Sequence, residues 1–293
     1  MPLPREEELS CRIALFPDCH VSGEALDVTD PPRRPMRRLY PFAARLLEDQ
    51  MAAFNAGDPF GPDAIFLLGD TLDPADQHSL AWLRDLITGS RIPVYPIIGN
   101  HEGCGGTSDE DFHLALGLPA HGHYVVRVQG LPFLMLATPG QDSLAPGSEG
   151  YRWLASILEE LREEEAVFCC AHFSLLLHPC VQGHRNDGMQ VLWSADSLLN
   201  LLASHPNVRA WIAGHKNIPS KVIHRGILHL LSPQLIQAPC GFRELRLSRQ
   251  GLESVLHPIC NKQVALLSKK AYGSSYPERH GQPDDRDFSW GWT

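Results

Sequence analysis

A short buried strand that ends in polar, metal-competent side chains constrains this chain more than any other feature. Residues 94–98 (Val-Tyr-Pro-Ile-Ile) are apolar and rich in β-branched side chains, which is typical of a buried strand. The run ends in Gly99-Asn100-His101-Glu102, where a turn-forming glycine precedes three side chains that can bind a metal or carry a proton. Open α/β sheets place their ligand sites at the carboxyl ends of strands. Alone, however, such a tetrapeptide is more typical of a turn.

Four other apolar runs in the chain end in the same way. These runs are residues 11–16, 64–68, 166–170 and 208–213, and the polar residues that follow them are Asp18, His20, Asp70, His172 and His215. Five such endings in succession are hard to explain by turn chemistry. Carboxylate and imidazole groups converging on one sheet edge would repel or compete unless a cation organised them. The pattern therefore predicts a metal centre at the carboxyl ends of the strands.

The spacing of apolar residues predicts an α/β (α+β) fold. Strands alternate with helical patterns up to residue 98, which favours a parallel sheet covered by helices. Residues 124–128 and 131–137 flank Gln129-Gly130, a hairpin signal, and the second half of the chain is expected to be antiparallel. We expect a four-layer α-β-β-α sandwich of two mixed sheets packed face to face between outer helices.

The chain shows no linker or repeat that would divide it into two large domains. With 293 residues, 43% hydrophobic and 20% charged, it has the composition of an ordinary soluble globule. We interpret residues 1–10 as an N-terminal extension, 11–260 as the folded domain and 261–293 as a polar C-terminal tail. The stretch 281–285 is expected to be poorly ordered.

Composition also excludes several functions and locations. A formal net charge of -9 argues against binding a nucleic-acid polymer. There is no apolar run of about 18 residues that could cross a membrane, and the acidic N-terminus lacks the apolar region of a secretory signal. The eight cysteines show no C-x-x-C pair, so a reduced, cytoplasmic protein is expected. The oligomeric state is left open.

The types of candidate ligand indicate which metals would bind. Imidazole, carboxylate and one amide oxygen, without thiolate, favour Mn, Fe, Co or Zn over copper or an iron–sulfur cluster. The ligands are too numerous for one four-coordinate ion. Two divalent ions about 3.5–4 Å apart, bridged by one carboxylate, would use them all.

The order of these motifs resembles the calcineurin-like metallophosphoesterases. D-x-H at residues 18–20, G-D-x-x-D at 69–73, G-N-H-E at 99–102, the lone His172 and Gly214-His215 follow one another as in that superfamily. The resemblance covers roughly residues 11–257. Within the superfamily, the last two segments are most similar to bacterial class III cyclic-nucleotide and glycerophosphodiester phosphodiesterases.

The resemblance implies a role for each matching position. The implied ligands are Asp18 and His20 for the first ion, Asn100, His172 and His215 for the second, and Asp70 between both. His101 would contact the substrate phosphate and act as the general acid, with Asp73 or Glu102 orienting it. Asp70 and Asn100 would also take part in catalysis, by holding the nucleophile and the phosphoryl oxygens.

One position departs from the family pattern. The family commonly ends in Gly-His-x-His, whereas this chain has Gly214-His215-Lys216-Asn217. Asn217 therefore replaces the imidazole that completes the shell of the first ion, and an amide oxygen is the weaker ligand for a transition metal. One interpretation is an active dinuclear site with a labile first ion, tolerant of Mn or Mg. The other is a scaffold that has lost one metal and its activity.

Three functions follow from these observations. The first is a metal-dependent phosphodiesterase acting on a small phosphorylated substrate. The second is a pyrophosphatase of the ADP-ribose or CDP-alcohol type, which would suit the basic run of Arg33, Arg34, Arg37 and Arg38. The third is a non-catalytic module with a degenerate metal site.

The polar residues outside these motifs have less specific interpretations. Cys19 is expected to be a buried filler, and His121 and His123 to form a surface turn. His178, His184 and Asp187 follow the His172 strand and either line the mouth of the pocket or lie on the surface, without a preference between the two.

Overall fold

The computed structural model describes residues 9–28, 34–181, 191–248 and 250–292. Arg33, His184, Asp187 and most of the N-terminal extension lie outside these ranges. The strands are β1 (Leu9–Phe16), β2 (Ala64–Leu68), β3 (Val94–Ile97), β4 (Tyr124–Val128), β5 (Leu131–Leu136), β6 (Val167–Ala171), β7 (Val208–Ala213), β8 (Ser220–His224), β9 (Ile227–Leu231), β10 (Gly241–Ser248), β11 (Gly251–Pro258) and β12 (Phe288–Gly291). The helices are α1 (Ala43–Asn55), α2 (Gln77–Gly89), α3 (Asp109–Ala115), α4 (Glu149–Glu160), α5 (Ala195–Ala203), α6 (Lys262–Tyr272) and α7 (Pro283–Arg286).

These strands form two six-stranded mixed sheets. The first has the order β12-β11-β10-β1-β2-β3 and the second β4-β5-β6-β7-β9-β8. In the first sheet β1, β2 and β3 run parallel, and β10 and β11 add to β1 as antiparallel neighbours. The expectation of an antiparallel second half is right for β4 with β5, β8 with β9, β10 with β11 and β11 with β12, and wrong for β5, β6, β7 and β9, which are parallel. The helices α4 and α5 lie between β5 and β6 and between β6 and β7, the crossover connections that parallel neighbours require.

Three apolar layers confirm the predicted sandwich. Between the sheets, the ring centroids of Phe66 and Phe133 lie 5.0 Å apart and those of Phe133 and Phe168 lie 5.1 Å apart. The outer face of the first sheet is covered by α1, α2 and α6, through side chains such as Leu47 and Leu83. The helices α4 and α5 cover the second sheet. Each sheet is therefore buried on both faces, which is why its strands read as continuous apolar runs.

The C-terminal segment is ordered, contrary to the expectation for residues 281–285. It forms α6, α7 and β12, and β12 pairs with β11 at the edge of the first sheet. The fully buried Arg243 guanidinium donates hydrogen bonds to the main-chain carbonyls of Asp285, at 2.9 Å, and Arg286, at 3.0 Å. The polar composition of the segment suggested disorder. Hydrogen bonds from Arg243, which is distant in the sequence, to the backbone carbonyls of the segment hold it in place.

No helix in the described part of the chain has the length and apolar character needed to cross a membrane.

Candidate metal centre

The loops after β1, β2, β3, β6 and β7 bring the predicted ligands together at one edge of the sandwich. The neighbouring loops are tied to one another, since the Asp18 amide donates to the Gly69 carbonyl at 2.9 Å and the His20 amide to the Asp70 carbonyl at 2.8 Å. The His215 amide donates to Asp18 Oδ2 at 2.7 Å, which joins the two sheets at this edge. The residues gathered here are Asp18, His20, Asp70, Asn100, His101, His172 and His215.

One group of ligand atoms surrounds the buried His172 ring. His172 Nε2 lies 3.0 Å from Asp70 Oδ2, 3.2 Å from Asn100 Oδ1 and 3.1 Å from His215 Nδ1. Its other nitrogen, Nδ1, is 2.9 Å from the Leu68 carbonyl, to which it donates. That bond leaves the Nε2 lone pair directed at the other ligand atoms, the tautomer that a metal ligand requires.

A second group lies on the side of β1. Ligand atoms of His20, Asp70 and His101 all fall within 4.8 Å of one another. His20 Nδ1 donates to Asp73 Oδ2 and His101 Nδ1 donates to Asp73 Oδ1, each at 3.0 Å. Asp18 Oδ1 lies 3.8 Å from His20 Nε2. Asp73 thus orients both rings so that their Nε2 atoms face Asp70.

Two divalent ions fit this arrangement. Asp70 belongs to both groups, since its ligand atom lies within 4.8 Å of those of His172 and His215 and also of those of His20 and His101. Its carboxylate therefore stands where a bridging ligand would be needed. Asp18 and Asp70 are both 1% exposed and raise the electrostatic cost of burying each other. A pair of cations would offset that cost and use the lone pairs of the surrounding imidazoles.

The backbone at this edge is held in an unusual conformation. Among the described residues, eight that are not glycine have positive φ, and five of them are predicted ligands: Asp18, His20, Asp70, His215 and Asn217. Such conformations are uncommon for residues with a side chain and persist only where the surroundings enforce them. The five residues lie on the three loops after β1, β2 and β7, and their conformation could not be recognised from the sequence.

Glu102 is the residue that enforces much of this geometry. Its Oε1 accepts hydrogen bonds from the amides of Thr71, at 2.6 Å, and Leu72, at 3.1 Å. Its Oε2 accepts from the amides of Gly99, at 2.9 Å, and Asp70, at 3.1 Å. The sequence indicated Glu102 only as a possible partner of His101, whereas Asp73 is the residue that binds that ring. Glu102 instead fixes the loop that carries Asp70.

Gly99 is required at the end of β3 by close approach. A Cβ at this position would lie 2.3 Å from Asp70 Oδ1 and 2.6 Å from the Asp70 amide nitrogen. The turn-forming glycine of the opening motif therefore makes room for the shared carboxylate.

Charges in the cluster shift several pKa values. Burial raises the pKa of Asp18, against the lowering effect of His172. Burial also raises the pKa of Asp70, but the adjacent His172 lowers it by more, to below its ordinary value. The hydrogen bond to Asp73 raises the pKa of His101. Burial raises the pKa of Glu102 to about 7, although its backbone donors act in the opposite direction.

Asn217 lies on the loop after β7, two residues beyond His215. Its Nδ2 donates to the His215 carbonyl at 3.2 Å. Its Oδ1 is buried and has no hydrogen-bond partner among the described residues. A buried carbonyl oxygen without a donor is the atom that a cation could satisfy, which fits a ligand role for this side chain.

The structure agrees with some of the remaining expectations and contradicts others. Cys19 is fully buried in the core, as expected. The expectation of a surface turn at His121 and His123 is wrong for His123, which is 6% exposed, and both rings line a cavity beside Asn100. Their loop packs under α4, a long-range contact that loop composition does not indicate. His178 is buried and lies 3.1 Å from Ser220 Oγ.

Two arginines of the basic run, Arg37 and Arg38, contact other parts of the protein. Arg37 lies over the Tyr272 ring at 5.1 Å, and Arg38 donates to Gln237 Oε1 at 3.2 Å and to the Tyr40 hydroxyl at 2.5 Å. These contacts attach the run to the C-terminal segment and to the loop before β10.

An α-β-β-α sandwich with two groups of ligands that share one carboxylate defines the class of metal-dependent phosphoesterases. The sequence matches the calcineurin-like phosphoesterase family over residues 11–219, and the chain belongs to that family. No curated protein matches the sequence significantly.

Solved structures with the same fold have little sequence in common with this chain. A dimetal phosphatase from Danio rerio superposes with a TM-score of 0.63 at 17% identity, covering 85% of this chain and 96% of its own. The purple acid phosphatase PPD1 from yellow lupin (Lupinus luteus) gives 0.53 at 17% identity, covering 84% of this chain and 51% of its own. GAP50, the anchor in the inner membrane complex of Plasmodium, gives 0.53 at 13% identity, covering 93% and 96%. At these identities the likeness shows the fold alone.

Proposed function

We propose that the protein is a hydrolase that uses two divalent metal ions to cleave a phosphodiester of a small molecule. The observation that carries the proposal is the position of Asp70, whose carboxylate belongs to both groups of ligand atoms. Asp18 and His20 would hold the first ion with Asn217, and Asn100, His172 and His215 would hold the second. The ligand types suit Mn, Fe or Zn.

The bound ions would supply a hydroxide nucleophile near neutral pH and neutralise the phosphoryl oxygens. The residues of the chain position the substrate and transfer protons. Asn100 lies at the mouth of the site with its Oδ1 on the ligand cluster, so its side chain fixes the edge at which the phosphate binds. Asp73 accepts a hydrogen bond from Nδ1 of His101. The proton on Nε2 of the same ring is therefore available to the departing alkoxide.

The exposure of His101 supports its role as the general acid. Its side chain is 36% exposed, whereas those of His20 and His172 are at most 3% exposed. A proton donor must contact the leaving group of a substrate that enters from solvent. A residue that only binds metal has no such contact to make. Since its pKa is raised by the bond to Asp73, the ring holds its proton more readily at neutral pH than a free imidazole.

Two other functions compete with this one. A pyrophosphatase of the ADP-ribose or CDP-alcohol type would use arginines for a second phosphate, but Arg37 and Arg38 are already engaged by Tyr272, Gln237 and Tyr40. A non-catalytic module is possible on this fold, since GAP50 is named as an anchor. The intact arrangement around Asp70 favours activity over that alternative.

The proposal is tested by hydrolysis of bis(p-nitrophenyl) phosphate with excess Mn²⁺. We expect Asp70→Asn to abolish turnover and to weaken metal retention. For a diester with an alkyl leaving group, whose alkoxide needs a proton, we expect His101→Ala to lower kcat by about a hundredfold or more while metal retention stays unchanged. Normal turnover in either variant would overturn the assignment of that residue.

Metal analysis and a diphosphate substrate separate the alternatives. Fewer than one tightly bound ion per chain, together with no hydrolysis in added Mn²⁺, would favour the non-catalytic module. Cleavage of ADP-ribose or CDP-choline without cleavage of the diester would favour the pyrophosphatase.

A further inference from the structure

A cavity of about 390 Å³ lies at the edge of the sandwich opposite the metal centre. It is formed by the end of α5, the start of β7, the turn between β8 and β9, and residues 290–292. From Val208 in the cavity wall, β7 extends for about 17 Å, at 3.3 Å per residue, towards the loop that carries His215. The cavity is therefore separate from the metal centre, and we call it the distal cavity.

The distal cavity is basic, although the chain carries a formal net charge of -9. Arg209 and Arg225 line it, and no aspartate or glutamate is among the lining residues that the structure describes. Arg209 Nη2 donates to the Glu165 main-chain carbonyl at 3.2 Å, and Arg225 Nη1 donates to Asn200 Oδ1 at 2.5 Å. Both acceptors are neutral, so neither bond compensates a positive charge. Burial lowers the pKa of Arg209, and no neighbouring carboxylate raises it.

A β-bulge places the side chain of Arg209. Val208 pairs with Val167 on β6 and Ala210 pairs with Phe168, so Arg209 is an extra residue without a partner on that strand. A bulge bends the strand and redirects the side chain of the extra residue. Arg209 is accordingly half-buried at the margin of the sheet and does not join the apolar layers of its neighbours.

A tight turn places Arg225. His224 pairs with Ile227, so Arg225 and Gly226 form a two-residue turn between β8 and β9, with φ values of 52° and 77°. The bond to Asn200 on α5 then ties the guanidinium to the helix that lines the cavity. Each arginine has five N–H groups and uses one of them in these bonds to the protein. Several donors of each guanidinium are therefore left for an anion.

Two tryptophans form the aromatic part of the wall. The ring centroids of Trp290 and Trp292 lie 5.5 Å apart, with the planes inclined by 59°. Trp292 is buried against Phe168, and the Arg209 guanidinium lies 5.8 Å from its ring, a cation–π contact. Trp290 is only half-buried, so part of its ring surface is left for a ligand. Stacking on such a surface favours a planar aromatic group.

The third titratable residue of the cavity, His205, is already paired. It is 5% exposed, and its Nε2 lies 3.3 Å from Glu159 Oε2. That carboxylate oxygen also accepts from Arg162 at 2.7 Å and lies outside the cavity lining. The rest of the described wall is apolar, with side chains such as Leu202 and Ile223. An apolar cavity with a few convergent polar groups, in the range of about 300–1,000 Å³, is typical of small-molecule sites.

We infer that the distal cavity binds a small organic anion in which an aromatic ring carries the anionic group. Arg209 and Arg225 bind the anionic group, and Trp290 stacks on the ring. Because the cavity is separate from the metal centre, its ligand is not the ester that is hydrolysed. The inference goes beyond the proposed function and does not depend on it.

Three probes with one carbon skeleton test the inference in the full-length protein loaded with Mn²⁺. The probe 2-naphthoate has both the ring and the charge, 2-naphthalenemethanol lacks the charge, and decahydro-2-naphthoate lacks the aromatic ring. A carboxylate is used because a phosphate would also bind strongly to the metal ions. Isothermal titration calorimetry measures the affinities. We expect 2-naphthoate to bind about tenfold more tightly than the alcohol and about threefold more tightly than the saturated acid.

Variants of the wall assign the binding to these residues. Arg209→Gln combined with Arg225→Gln should lower the affinity for 2-naphthoate by about tenfold, and the loss should shrink as salt is added. The affinity for 2-naphthalenemethanol should stay unchanged. Arg152→Gln is the matched control, since this exposed arginine on α4 also donates to a main-chain carbonyl and lies outside the cavity. Trp290→Leu should remove the preference for 2-naphthoate over the saturated acid.

The Asp70→Asn variant checks where the probe binds. We expect it to bind 2-naphthoate as tightly as wild type does. Binding that is lost in Asp70→Asn and kept in the double arginine variant would place the probe at the metal centre and overturn the inference. No binding of 2-naphthoate at millimolar concentration, equal affinities for 2-naphthoate and the alcohol, or an unaltered affinity in the double variant would also overturn it. None of these results depends on turnover, so the proposed function stands or fails separately.

Discussion

Arg279 in the C-terminal segment donates a hydrogen bond through Nη2 to the main-chain carbonyl of Asn217, at 3.0 Å. Asn217 has a φ of 62°, and its buried Oδ1 lacks a partner among the described residues. The Arg279 guanidinium also lies 5.8 Å from the Tyr272 ring, which places it between the C-terminal segment and the loop after β7. The segment therefore supports the one position where the metal centre departs from the family pattern.

We predict that Arg279→Ala lowers the affinity of the protein for the first divalent ion by about tenfold and leaves its affinity for the second ion unchanged. Residues that support a ligand from outside the coordination shell commonly contribute this much. Calorimetric titration of metal-free protein with Mn²⁺ measures both ions. Arg84→Ala, an exposed arginine on α2 whose ion-pair partner is its neighbour Asp85, is the control. Equal affinities in wild type and Arg279→Ala would show that the bond does not position Asn217.

We predict that Asn217→His tightens binding of the first ion. An imidazole nitrogen is a stronger ligand for Mn, Fe or Zn than an amide oxygen, and the buried Oδ1 of Asn217 has no hydrogen-bond partner among the described residues. Competition with a chelator would report a gain of about tenfold or more. The exposed Asn55→His variant, at the end of α1, controls for an added histidine elsewhere. Unchanged affinity would mean that the side chain at 217 does not face the ion.

The sequence predicted which side chains meet at this edge because each lies within a few residues of the end of its own strand, so local pattern and strand direction sufficed. Asp70 and His172 are examples. Because β1 and β2 are parallel neighbours, the residues that follow them lie at the same edge of the sheet. Glu102 could not be assigned in this way, since its four hydrogen bonds depend on the approach of two loops. The return of β10 and the C-terminal segment to the first sheet, and the burial of His123, depend on contacts between distant parts of the chain. These contacts leave no local periodicity.

We predict that Glu102→Gln destabilises the protein by roughly 2–4 kcal/mol in the absence of metal. Both carboxylate oxygens accept backbone amides, so the amide group of glutamine would place its own N–H donors against two of them. Urea unfolding in EDTA measures the difference, with the exposed Glu163→Gln as the matched control. Equal midpoints for wild type and Glu102→Gln would show that the loop holds its shape without this carboxylate.

A second buried carboxylate, Glu244 on β10, predicts that the stability of the protein depends on pH. Its Oε1 accepts from Arg12 Nε at 3.0 Å and from Arg246 Nε at 2.8 Å, and its Oε2 accepts from His257 Nε2 at 2.7 Å. The side chain is fully buried. Burial raises the pKa of Glu244, but the hydrogen bonds from His257 and Arg246 lower it by more, to about 2 from an ordinary 4.5.

Because the pKa of Glu244 is lower in the folded state, its charge stabilises the fold above pH 4.5, and this contribution is lost as the pH falls towards 2. Glu244→Gln should therefore lower the free energy of unfolding by roughly 3 kcal/mol at pH 7. The difference from wild type should shrink steadily between pH 4.5 and 2 in urea unfolding curves. Glu163→Gln should show no such trend. A difference that stays constant down to pH 2 would mean that the ion pairs of Glu244 do not contribute to the stability of the sheet.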